Sequence, residues 1–428
     1  MSPAQPVGDP LPGTGELPPQ VAAPAPDGNE RPFSVYLHVP YCRVRCGYCD
    51  FNTYTNLSMG RGASAEDFVG TLAGELRATR RAMDAAGLPV RRAQTVFVGG
   101  GTPTMLPASD LVRMLDLVRE CFGLASDAEV TTEANPDSVD EAGLAVLARG
   151  GFTRVSFGMQ SAVPHVLKVL ERTHEPARVP RVVEWARRTG LSTSLDLIYG
   201  APWESLEDWQ RSLDAVAQIG PDHVSAYALV IEEGTRMWGQ VRRGELPMPE
   251  DDDEATKYEM ADAALARAGY EWYEISNWAR PGAQCRHNRA YWLDWDWWGA
   301  GPGAHSHLGD VRLWNTKHPV AWAGQIAAGR LPVAGHEVID AGSRELERIM
   351  LGIRLREGIA LASLADGPSA NSADGAGATL PHLVPVVAGL VADGLLDAGA
   401  AMRGRAVLTL RGRLMTDTVI CALSDMTI

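Results

Sequence analysis

Between residue 34 and about residue 230, short β-rich runs alternate with helical patterns six times, and few folds accommodate that order. The runs cover 34–39, 95–98, 129–133, 154–157, 192–198 and 223–229. Strand followed by helix, repeated, gives a parallel sheet with helices as its crossovers. Two S-x-x-[DE] patterns, Ser138 to Glu141 and Ser205 to Asp208, read as capping boxes that satisfy free N–H groups in a first helical turn. If such a sheet curls, a ligand belongs at the C-terminal ends of its strands.

Polar residues gather where that geometry wants them. Tyr36 and a group of cysteines accompany the first run, and Gly99-Gly100-Gly101-Thr102-Pro103 follows the second. Glu133 ends the third, Gln160 follows the fourth and Asp196 lies late in the fifth. A glycine run after a strand lets backbone groups approach a small ligand closely, although alone it also reads as a tight turn. Five such markers at successive strand ends define a candidate site.

The cysteines are Cys42, Cys46 and Cys49, in the pattern C-x3-C-x2-C. Three thiolates on a short loop can hold three irons of a [4Fe–4S] cluster and leave the fourth iron open, whereas ferredoxins supply four. Positions 42, 46 and 49 also fit one stripe of a helix, but Pro40, Gly47 and the arginines at 43 and 45 speak against a packed helix. A structural zinc site usually adds a second C-x2-C knuckle or histidines at fixed spacing, and only His38 is near.

With 428 residues the chain has room for two or three domains, since single cores stop growing near ~250–300 residues. Residues 1–30 are rich in Pro, Gly and Ala, lack the apolar stretch of a signal peptide and read as a disordered tail. The expected barrel occupies 31–245. A Trp-rich connecting region follows over 246–335, opening at Glu250-Asp-Asp-Asp-Glu254, whose carboxylates suit a helix N-terminus. Residues 336–428 read as a small winged-helix-like domain carrying an Ala/Ser/Gly/Asp-rich insertion at 363–380. A net charge of −14 disfavours nucleic acid as a partner. Six cysteines without a disulfide framework suit a reducing cytosol, and no apolar run is long enough to span a membrane.

C-x3-C-x2-C with Tyr48 before the last cysteine, and a GGGTP loop downstream, resembles the radical S-adenosylmethionine (SAM) superfamily, most closely its HemN-like branch. The resemblance implies an α/β fold: a partial (β/α)6 barrel with a C-terminal α+β extension and the winged-helix-like unit. It implies a [4Fe–4S] cluster on Cys42, Cys46 and Cys49, with SAM chelating the open iron. Tyr36 and Tyr48 would flank SAM, Gly100, Gly101 and Thr102 would hold its methionine end, and Glu133, Gln160, Arg172 and Asp196 would add polar contacts. The branch contains oxygen-independent coproporphyrinogen III oxidases and haem chaperones. The oxidases carry a further cysteine where this chain has Phe51, while His287-Asn-Arg-Ala-Tyr-Trp292 is similar to a motif of the chaperones.

The chaperone side implies a cytoplasmic protein that binds haem and passes it to acceptor apoproteins such as respiratory cytochromes. Homodimerisation and contact with the inner membrane face belong to the same implication. On that reading His287 is the haem ligand, with His305, His307 and Cys285 as substitutes. Trp278, Tyr291, Trp292, Trp295, Trp297 and Trp298 would cover the porphyrin, and Arg286 or Arg289 would meet its propionates. The alternatives are radical oxidative decarboxylation of coproporphyrinogen III, and a radical enzyme on another substrate with the tryptophans as core.

Overall fold

The computed structural model describes residues 7–12, 15–25, 28, 30–364 and 383–424. Six strands alternate with helices: β1 (Phe33–Val39), α1 (Phe68–Ala85), β2 (Ala93–Gly100), α2 (Ala108–Cys121), β3 (Leu124–Ala134), α3 (Glu141–Gly150), β4 (Arg154–Gln160), α4 (Pro164–Val169), α5 (Arg178–Arg188), β5 (Ser192–Tyr199), α6 (Leu206–Ile219) and β6 (His223–Ala228). All six strands run parallel in chain order. Every expected strand is present, most of them longer by a few residues at an end.

Strand alternation builds the interior. Val35, Leu37, Val96, Val98 and Val130 point into a core shared with Leu72 and Leu76 of α1 and Leu111, Met114 and Val118 of α2. The intervening residues face a lumen: Tyr36, Phe97, Thr131, Glu133, Arg154, Ser156, Ser194, Asp196, His223 and Ser225 all line one cavity. The apolar half of each strand therefore holds the helices, and the polar half faces a ligand space.

The remaining chain extends this sheet. After α7 (Arg236–Arg242) and α8 (Asp251–Arg267), the hairpin β7 (Glu271–Glu274) and β8 (Asn277–Ala279) pairs antiparallel with β6. Helix α9 (Arg286–Trp292) leads to β9 (Asp296–Ala300), which lies parallel beside β1. β10 (His305–Leu308), β11 (Val311–Asn315), α10 (Pro319–Ala327) and β12 (Val333–Val338) complete an open twelve-stranded sheet in the order β12-β11-β10-β9-β1-β2-β3-β4-β5-β6-β8-β7. Trp298, Leu308, Leu313 and Trp322 join the same core as β1–β6, so the Trp-rich region does not form a core of its own.

A second core lies in the C-terminal unit of α11 (Ala341–Gly352), β13 (Ile359–Ala360), α12 (Leu383–Ala392), α13 (Ala398–Met402), β14 (Arg405–Ala406), α14 (Leu410–Leu414) and α15 (Thr416–Leu423). β13 and β14 pair antiparallel. From residue 365 the expected insertion lies outside the described residues.

Two local readings differ. Ser138 is no helix cap: its hydroxyl accepts from the Asn135 N–H, while Asp140 caps α3 by accepting from Gly143 N–H at 2.7 Å. Asp140 wins because it is adjacent to the first helical residue, Glu141. Ser205 and Asp208 do form the reciprocal capping box on α6. The N-terminal segment is not a detached tail where it is described, because Leu17 and Val21 are buried in the main core and Asp9 exchanges backbone hydrogen bonds with His336 on β12. Its few apolar side chains suffice to seat it.

Candidate functional site

The C-terminal ends of β1–β6 surround the mouth of a cavity of about 500 Å³. Cys42, Cys46 and Cys49 line it on the loop that leaves β1, together with Tyr36, Tyr48, Gly100, Gly101, Thr102, Glu133, Gln160, Arg172 and Asp196. Every residue expected to contact cluster or SAM is thus brought to one space.

The loop is pinned from several sides. Cys42 N–H donates to Tyr54 O, and Cys49 N–H to Cys46 O. Asn52 Nδ2 donates to the carbonyls of Pro302 and Lys317, each at 2.9 Å, which ties the cluster loop to the glycine-rich turn after β9 and to the segment after β11. In that turn Gly301 has φ +106°, and a Cβ there would stand 2.4 Å from His38 O. His38 in turn links Tyr36, whose hydroxyl donates to Nδ1 at 3.0 Å, with Asn52 O, which accepts from Nε2 at 2.9 Å.

The sulfurs have donors aimed at them. Thr102 Oγ1 lies 3.7 Å from Cys42 Sγ, and Arg172 Nη1 lies 3.7 Å from Cys46 Sγ. Arg172 Nη2 also donates to Asn135 Oδ1 at 2.5 Å and Gly158 O at 2.9 Å, and Asn135 Nδ2 donates to Thr102 Oγ1 at 3.1 Å. Arg172 is therefore a half-buried part of the site. Burial holds the Cys42 thiol up at about 11 and pushes the Cys49 thiol up as well. Taking a metal would therefore displace protons that these thiols otherwise keep.

The donor set fits a cluster. Gly101 leaves room that no side chain could share: its Cβ would fall 2.9 Å from Cys42 Sγ and 2.6 Å from Tyr41 O. Among the described residues, no three His, Cys, Asp or Glu side chains gather closely enough to share one metal ion. A cluster gives each thiolate its own iron and asks for a wider set. Deeper in, Glu133 is pushed up to about 8 by burial and by the charge of Asp196, against the Gly100 N–H that donates to it at 3.1 Å. Burial also raises Asp196, whose Oδ2 accepts from Ser156 at 2.8 Å. Two carboxyls this deep favour a ligand that brings positive charge, as the amine and sulfonium of SAM would.

The His287 segment closes the far end of the same cavity, which Cys285, His287, Asn288 and Tyr291 also line. Helix α9 crosses the opposite end of the barrel, where Glu129 of β3 accepts from the backbone N–H groups of Arg286 and His287 and from the Cys285 thiol. His287 is buried, stacked 5.1 Å from Phe97, with Nδ1 2.7 Å from Thr95 Oγ1 and Nε2 3.0 Å from Tyr291 OH. Burial lowers its imidazole to about 3. Both ring nitrogens have hydrogen-bond partners. Trp278 and Trp298 are core residues rather than an open aromatic face. Arg286 and Arg289 pair with Asp127 and Glu357.

Sequence reasoning missed Asn135, His38, Asn52 and Arg154 as members of this assembly. Asn135, just past β3, had the same strand-end position as the residues that were found. Asn52 and the Gly301 turn lie about 250 residues apart in sequence, at a contact that only the fold reveals.

Comparison with known proteins agrees with this geometry. The radical SAM superfamily model matches residues 36–216. The solved structure of the coproporphyrinogen III oxidase HemN from Escherichia coli superposes with a TM-score of 0.76, covering 95% of this chain and 92% of that one at 22% identity, a likeness of fold. Fold and site thus define a radical SAM barrel of the HemN type.

Among curated relatives, the haem chaperone HemW of Mycobacterium tuberculosis H37Rv is 47% identical over 96% of each chain. HemW of Synechocystis is 33% identical over 80% of this chain and 82% of its own. The chain belongs to the HemW family.

Proposed function

We propose that this protein is a cytoplasmic haem chaperone that binds haem and hands it to acceptor apoproteins, respiratory cytochromes among them. The observation that carries this reading is the likeness to a haem chaperone along almost the whole chain, at 47% identity. On this proposal Cys42, Cys46 and Cys49 hold a [4Fe–4S] cluster, whose open iron supplies a point of attachment for SAM. Tyr36, Tyr48, Gly100, Gly101, Thr102 and Gln160 enclose SAM, while Glu133 and Asp196 face its positive charge. Arg172 donates toward Cys46 and keeps Asn135 and Gly158 in place. Homodimerisation and contact with the inner membrane face are part of the same proposal. No helix among the described residues is long and apolar enough to cross a membrane.

Anaerobic titration of the cluster-reconstituted protein with haem tests the reading. A saturable Soret change at one haem per chain, followed by transfer to an apocytochrome, is expected. Decarboxylation of coproporphyrinogen III by the reduced protein with SAM would replace the chaperone with the oxidase.

A further inference from the structure

We infer that His305 is the axial ligand that takes haem, on the sheet face that carries the lumen wall onward from β1 through β9 to β10. This rests on the chaperone reading and says where the cargo sits. Nine of the ten histidines are among the described residues. His38, His223 and His287 have a partner at each ring nitrogen. His307 is buried against Asp294 and Arg344, and His174 is buried with a hydrogen bond to the Met159 backbone. Of the remaining four, His165 pairs with Asp208, His318 accepts from the Val320 N–H, and Nδ1 of His336 lies 2.7 Å from Asp9 O. His305 is exposed, and it alone of the nine has neither ring nitrogen in a hydrogen bond or ion pair. Cys285 is buried, with its thiol turned to Glu129.

The register of the sheet places this ring. Residues opposite one another on neighbouring strands share a face, and so do residues two apart on one strand. Ser34 and Tyr36 of β1 stand beside Trp297 and Gly299 of β9, so Trp297 shares the face of Tyr36, which lines the lumen. Trp297 is opposite His307, and two residues earlier His305 is opposite Trp314 of β11. Arg344 of α11 closes over His307, and Gly8 closes over Trp314, where a Cβ on that glycine would fall 2.4 Å from the indole. His305 is left open between them. Its ring centre is 6.2 Å from that of Trp314, and its carbonyl accepts from Trp297 Nε1 at 3.2 Å. The donors present select the kind of ligand. A bare metal ion asks for several protein donors, and among the described residues no three His, Cys, Asp or Glu side chains gather for one. Haem brings four pyrrole nitrogens of its own and asks for a single axial donor, which a neutral imidazole supplies. Tryptophans beside that donor give the flat porphyrin apolar surface. Lys317 and Glu337 stand near enough for their charges to reach the ring, and Glu337 is paired with Arg312 at 2.8 Å, so Lys317 supplies the cation for the propionate edge.

The test uses the full chain with its cluster reconstituted anaerobically and kept oxidised. The wild-type ferric haem complex should show the electron paramagnetic resonance signature of imidazole ligation. His305→Gln should lose that signature and weaken haem binding by about tenfold or more in a Soret titration. His305→Cys should replace the imidazole signature with that of a thiolate, a gain that a loss of folding cannot imitate. His287→Gln and His318→Gln should keep the wild-type signature and Soret maximum. Cluster iron per chain before haem is added, and far-ultraviolet circular dichroism, should match wild type in all four variants. Haem bound by the wild type without an imidazole signature overturns His305 as the ligand while leaving the chaperone function standing. The same holds for a signature that survives in both His305 variants, or one lost in His287→Gln or His318→Gln. Failure of the wild-type chain to take up haem removes the chaperone function and the His305 site together.

Discussion

At the residue scale, Gly101 and Glu133 carry the sharpest consequences. A Cβ on Gly101 collides with backbone at Tyr41 as well as with Cys42 Sγ, and backbone cannot swing aside. Gly101→Ala should therefore retain well under half the iron of wild type after reconstitution, as measured by iron per chain. Glu133 sits at about 8 because burial favours its neutral form. A cationic ligand must first find or create the carboxylate, so SAM affinity should rise as pH goes from about 7 to about 9 and level off above. Glu133→Gln should lose that pH dependence and weaken SAM binding by about tenfold or more, the worth of a hydrogen bond to a charged group. Isothermal titration across pH checks both. Much of this site was legible beforehand, because cysteine spacing, the glycine run and polar residues at strand ends are local signals. The engagement of His287 was not, since Thr95, 192 residues away, and the burial that lowers its imidazole appear only once the strands are paired.

At the element scale, α1 is tied to the turn after β9 by one buried carboxylate. Glu75 accepts from Gly301 N–H at 2.9 Å, Trp322 Nε1 at 2.8 Å and Asn315 Nδ2 at 2.6 Å. That turn braces the cluster loop, so this helix–turn contact supports the site from behind. Glu75→Gln sets an amide donor among donors and should cost about 1–3 kcal/mol in denaturant unfolding. Burial raises Glu75 to about 7. The folded state then holds its proton where the unfolded chain has lost it, so the stability this group contributes is full below about 4.5 and is lost as pH rises toward 7. The gap between wild type and Glu75→Gln should accordingly narrow between pH 5 and pH 8. The two serine patterns show what local reading can and cannot decide. Ser205 caps α6, but at Ser138 a competing aspartate two residues later takes the helix start.

At the scale of the whole molecule, Arg413 joins the two largest cores among the described residues. It reaches from the C-terminal unit to Asp262 on α8 with both Nη atoms, at 2.8 and 2.9 Å, and lies 4.4 Å from the centre of the Trp272 ring. Arg413→Ala leaves Asp262, which keeps partial contact with water, without its cation. It should lower the denaturant midpoint by an amount equal to about 2 kcal/mol, less than the 3–5 kcal/mol of a fully buried broken pair. The six-unit alternation made the barrel readable from sequence because period-two apolarity in strands is a strong signal. The extension of its sheet by β9–β12 was not readable. β9 pairs with β1 across more than 250 residues and β10–β12 add to it in turn, and their tryptophans look alike whether they face core or ligand.

Electron paramagnetic resonance of the anaerobically reconstituted, reduced protein, recorded without and with SAM, addresses the central claim most directly. Three thiolates and one open iron predict a [4Fe–4S]⁺ signal whose g-values shift when SAM is added. A cluster signal that SAM leaves unchanged, or zinc in place of iron at Cys42, Cys46 and Cys49, would contradict the account.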